Sequence, residues 1–94
     1  MKLLFCDACG DIVKLRSETR TCSCKKSGGH YTNHLDAVYW GPAMPLGVDN
    51  MSFATALHER PTEGKGFRFA AFVIPKRCPT MIQLEGPDGT PVAI

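Results

Sequence analysis

Apolar and polar positions along the chain change rhythm several times, and each change predicts a short element. "KLLFC", Lys2 to Cys6, is an apolar run that reads as a first strand. "DIVKL" follows closely, and its β-branched pair Ile12 and Val13 suits a second strand. "LDAVYW", Leu35 to Trp40, predicts a third, ended by Gly41 and Pro42. "GPAMPLGVDN" then carries two prolines and two glycines within seven residues, which predicts a structured loop over 41–50. Asn50 stands as the N-cap of a short helix, "MSFATALHER", with Phe53, Ala54 and Leu57 on one face and Pro61 as its stop. "GFRFAAFVIP", 66–75, is the strongest strand signal. Phe67, Phe69, Ala71 and Val73 share one side of it, and Arg68, Ala70, Phe72 and Ile74 the other. With both sides largely apolar, it predicts a central strand or one edge of a homo-oligomer interface. "TMIQLE" is a final strand, and "GPDGTPVAI" a turn and tail. The pattern is α+β, with a mostly antiparallel sheet and one short helix.

Length and composition narrow the class. The 94 residues form one domain in the size range where a small core gains from a staple. It divides into an N-terminal part over 1–34, a sheet with the helix over 35–85, and the tail over 86–94. No apolar run approaches the roughly 18–20 residues that span a bilayer. The run in "MKLLFC" stops after Phe5, short of the roughly 7–15 residues of a signal peptide's apolar region, and Asp7 follows. These features predict a cytoplasmic protein with no membrane partner.

In a reducing compartment, clustered thiols favour a metal over a disulfide framework. Cys6 and Cys9 form C-x2-C, and Cys22 and Cys24 form C-x-C after twelve intervening residues. Zinc takes a tetrahedron of soft ligands, and two thiolates on a tight turn can aim at one ion. Gly10 after "CDAC" supplies the freedom such a turn needs. The expectation is one structural Zn2+ in an N-terminal zinc-ribbon-like β-knuckle, with a disulfide pair or an iron–sulfur site as alternatives. His30 is the residue to replace a sulfur that cannot reach. Four thiolates close the coordination sphere, so the site predicts folding and no catalysis.

The formal net charge is +2 with the cysteines neutral. A dication on four thiolates adds two units of negative charge and brings the total to zero. A large phosphate-neutralising footprint is therefore not implied, and nucleic acid is the less favoured partner. Arg16, Arg20, Lys25 and Lys26 surround the cysteines and offset their charge. One loop nevertheless gathers binding chemistry. Lys26, Ser27, Gly28, Gly29, His30 and Tyr31 combine a cation, a hydroxyl, paired glycines and rings. Paired glycines can turn backbone N–H groups toward an anion, and a tyrosine can stack on a base. Asn50 and Ser52, at the helix start, are further candidate donors to an anion. Cys78, between Arg77 and Pro79, lies in no recognisable catalytic signature, so an enzyme is not expected.

"KLLFCDACGDIVKL", "CSCKKSGGHY", "GPAMPLGVDNMSF" and "FVIPKRCPT", in that order, resemble a family of short uncharacterised proteins carried by bacteria and their phages. The resemblance covers residues 2–80 and implies a phage or prophage setting in a bacterial host cell. It lends no activity. Lys25 stands where such relatives often have a glycine. Three functions remain open at this point. The first is capture of a small phosphate-bearing ligand, such as a nucleotide-derived immune signal held without turnover as a counter-defence. The second is docking on a host protein through strand 67–74. The third is nucleic-acid binding by a zinc ribbon.

Overall fold

The computed structural model describes residues 1–93. It is an α+β fold of eight short strands and one helix. In chain order these are β1 (Lys2–Cys6), β2 (Ile12–Lys14), β3 (Arg20–Thr21), β4 (Gly28–Tyr31), β5 (Ala37–Trp40) and β6 (Ala43–Val48), then α1 (Asn50–His58), β7 (Ala71–Val73) and β8 (Met81–Gln83). Two four-stranded sheets result, ordered β2-β1-β6-β7 and β3-β4-β5-β8. Every pairing is antiparallel except β5 with β8. Leu4, Leu15 and Ile74 meet Ala37, Tyr39 and Met81 in one buried cluster, so the core lies where the two sheets face each other.

The segment expected as a loop, 41–50, is instead the six-residue strand β6 at the centre of its sheet. Proline is rare in such a position because it cannot donate to the ladder. The register explains how Pro45 is tolerated. Val48 donates to Met1 and Asp7 donates to Pro42, so the even positions of β6 bond to β1. Pro45 faces β7 instead, where its carbonyl accepts from Ile74 and its lacking N–H marks the end of that ladder. Gly47 is needed beside it, since a Cβ there would lie 2.4 Å from the Phe72 ring.

The expected long strand over 66–75 is also corrected. Only Ala71–Val73 pairs, on one edge of the sheet rather than at its centre. Residues 57–73 are exposed without a break, including Phe67, Phe69 and Phe72. α1 begins one residue earlier than predicted, with Asp49 rather than Asn50 as N-cap, and it buries only Ala56. The radius of gyration, 14.6 Å, exceeds the roughly 12.4 Å of a compact chain this long, in keeping with an arm that stands away from the core. The expected tail folds back: Val92 donates to Gln83, and Leu84 bridges to Pro91. Among the described residues no helix is long and apolar enough to cross a membrane.

Candidate metal centre

The first pair of cysteines belongs to the turn between β1 and β2, the second to the turn between β3 and β4. In the first turn Cys6 N–H bonds to the Asp11 carbonyl and Gly10 N–H to the Cys6 carbonyl, with Gly10 at φ 75°. In the second, Lys25 N–H bonds to the Cys22 carbonyl, and Lys25 itself adopts φ 64°. Lys25 thus occupies a left-handed position, at a steric cost of roughly 1–2 kcal/mol. Asp11 joins the two turns, its carboxylate accepting from the Ser23 N–H at 2.9 Å and the Ser23 hydroxyl at 3.0 Å.

The four sulfurs of Cys6, Cys9, Cys22 and Cys24 lie within 4.8 Å of one another. Cys24 Sγ is 3.7 Å from Cys6 Sγ and 3.5 Å from Cys22 Sγ. A tetrahedron with metal–sulfur bonds of about 2.3 Å has edges of about 3.8 Å, so the spacing suits a metal ion such as zinc. All four cysteines are free thiols rather than disulfide partners. Cys6 and Cys22 are buried against Val13, while Cys9 and Cys24 are exposed. The electrostatics also call for a cation. A hydrogen bond from the Ser27 hydroxyl, 3.3 Å from Cys6 Sγ, does most to lower the Cys6 thiol pKa to about 6. Burial raises the Cys22 thiol, but bonds from the Ser27 backbone and Cys24 outweigh it and leave the pKa lowered. The Lys26 backbone lowers Cys24, but burial and the neighbouring sulfurs push it up to about 12. The cluster therefore resists full ionisation unless a dication balances it.

The expected ligand loop is used differently. Ser27 is completely buried, with its hydroxyl on Cys6. Gly28 and Gly29 sit in β4, paired with β3 on one side and β5 on the other. The positive-φ glycines among the described residues are Gly10, Gly41 and Gly64, so this pair does not form the anion-binding turn expected of it. Its lack of side chains is a packing need: a Cβ on Gly28 would lie 2.8 Å from Trp40, and one on Gly29 2.6 Å from the Val38 carbonyl. His30 stands apart from the four sulfurs, with Nδ1 3.5 Å from Thr19 Oγ1 and its ring edge-on to Trp40. Tyr31 accepts from the Lys2 N–H at 3.0 Å and lies under the Lys2 ammonium, which takes the place expected for a base. Lys26 is exposed.

Asn50 and Ser52 are not brought to this loop. The Met1 ammonium donates to Asn50 Oδ1 at 2.8 Å, which places Asn50 beside the start of β1, whereas Cys6 is its end. Five strand residues separate the two places by about 16 Å. Ser52 Oγ accepts from the Ala70 N–H at 2.9 Å and donates to the Asp49 carbonyl. Both side chains tie α1 to its neighbours. Asp11 was not legible as a site residue, although its place directly after "CDACG" was the available signal. Cys78 is half-buried away from the cluster, with its thiol lowered by a hydrogen bond from Thr80 and further by the Lys2 charge.

The chain is thus a small domain whose four clustered cysteines can hold a metal ion. No family model, curated protein or solved structure matches it.

Proposed function

We propose that the chain is a non-enzymatic, zinc-stabilised interaction module that binds another protein through the arm formed by α1, 59–70 and β7. The observation that carries this reading is the unbroken exposure of 57–73. Leu57, Phe67, Phe69, Phe72 and Val73 lie there at 46–62% exposure. Half-exposed phenylalanines each leave roughly 100 Å² in water, and a monomer rarely keeps a contiguous apolar patch of several hundred Å² without using it. Phe53 and Phe69 meet edge to face at 4.8 Å, so the patch has a fixed shape. The zinc site holds the rest of the fold and leaves this face free. A phage setting, as the sequence resemblance implies, makes a protein of the bacterial host the fitting partner.

Capture of a phosphate-bearing ligand ranks below this, because the glycine pair lies in β4 and Asn50 and Ser52 stand at the far end of β1. Nucleic-acid binding ranks lower still on the neutral charge of a zinc-loaded chain. The test is purification of the chain from host cells, followed by native mass spectrometry, beside a Phe67→Ser/Phe69→Ser variant. The reading predicts a stoichiometric protein complex that the variant loses while keeping its metal. A small-molecule mass retained equally by both proteins, with no protein partner, would reverse the ranking in favour of capture.

A further inference from the structure

Resting on that reading, we propose that the free edge of β7 receives an extended peptide with an apolar centre and acidic flanks, which adds to the sheet as a further strand. The ladder to β6 fixes which groups are available. Asp49 donates to Ala70 and Ile74 donates to Pro45, so residues 70, 72 and 74 bond inward. Ala71 and Val73 therefore aim their N–H and carbonyl groups at the open side. Both residues are exposed, and β7 ends the strand order of its sheet. Pro75 closes the edge on one side, since it has no N–H to offer at the next outward position. Phe72 lies over Gly47 and remains 55% exposed, an apolar contact for a peptide side chain. Phe53, Leu57, Arg60, Glu63, Phe67 and Phe69 line a cleft of about 300 Å³ in the same arm, large enough for one more apolar side chain.

Charge selects the occupant. Lys65, Arg68, Lys76 and Arg77 flank β7, and no Asp or Glu occurs between Glu63 and Glu85. Asp49 lies beside Ala70 on the inner, β6 side. Arg68 and Lys76 are exposed on either flank of the strand. A second copy of the chain is disfavoured: the antiparallel register that uses both Ala71 and Val73 centres on Phe72, which sets Arg68 of one copy opposite Lys76 of the other. Like charges opposed across strands destabilise the pair, whereas acidic flanks turn the same positions into attractive ones.

The test uses metal-loaded, isotope-labelled protein and a short peptide of alternating valine and threonine between Asp-Glu pairs. The same peptide with lysine flanks, and the acidic one with a central proline, serve as controls. Amide hydrogen exchange is read residue by residue. The acidic peptide should slow exchange of the Ala71 and Val73 amides by about tenfold or more, with about tenfold weaker binding of the lysine-flanked peptide. The proline peptide should leave both amides unprotected. Arg68→Glu/Lys76→Glu, both at exposed sites, should invert the preference. Absence of protection at both amides, equal protection by both flank types, or protection in the free protein through self-association would each overturn strand addition. Shifts at Phe67 and Phe69 without amide protection would leave the interaction arm standing and remove only the strand; no response at either place would count against both.

Discussion

Ser27 carries an unusual share of the cysteine cluster for so small a side chain. It is buried, its hydroxyl donates to Cys6 Sγ, and its backbone carbonyl receives the Cys22 N–H. One residue thus touches both halves of the site. Ser27→Ala keeps the backbone bond and removes the hydroxyl, so metal affinity should fall by about tenfold with little change of fold, measured by chelator competition. Lys25 offers the opposite prospect. Lys25→Gly relieves a left-handed lysine and should raise stability by up to about 1 kcal/mol, while Gly10→Ala should cost about 1 kcal/mol, both read from denaturant melts of loaded protein. Gly10 has open space around its Cβ position, so that cost is purely conformational. The cysteines themselves were legible, because two turns that each carry two thiols have few other uses in a reducing compartment. Ser27 and Asp11 were legible only as ordinary polar residues. A hydroxyl or carboxylate acquires its role from what the fold places beside it, and β4 had not been foreseen.

The elements show where local signals mislead and why. Prolines and glycines usually punctuate strands, so 41–50 reads as a loop. Here Pro45 directs its missing donor toward the short β7 ladder, and Gly47 makes room for Phe72. The glycine pair in "KKSGGHY" misleads in the same way, since Gly28 and Gly29 are small because Trp40 and the Val38 carbonyl approach them. The aromatic run 66–75 has strong strand propensity, yet propensity needs a partner strand, and the one that could pair with 66–70 ends at Val48, where the chain turns into α1. Gly47→Val should displace Phe72 and strip amide protection from β7 while leaving the metal site intact, as hydrogen exchange would show. The short strands β1, β2, β5 and β8 and the helix were legible within a few residues because their flanking turns bound them. The fold class followed from these. The division into two sheets did not, since nothing local says which short strands pair.

Taken whole, the molecule is two sheets closed at one end by the cysteine cluster and packed around the Leu4, Leu15, Tyr39, Ile74 and Met81 core. The first cysteine turn belongs to one sheet and the second to the other, so a bound metal is a clamp between them. Saturating metal at about a thousand times its Kd stabilises by roughly 4 kcal/mol, which for a domain of this size means a fall in Tm of at least about 15 °C on chelation. An alkylating reagent gives a second view of the clamp. Loaded protein should label at Cys78 alone, and chelated protein at all five cysteines, counted by mass.

Native mass spectrometry of protein kept under non-denaturing conditions tests the clamp most directly. The prediction is one metal dication per chain, and loss of the metal when any of Cys6, Cys9, Cys22 or Cys24 is replaced by serine. A chain that carries no metal after exposure to zinc, or that keeps it with those cysteines replaced, would contradict the account.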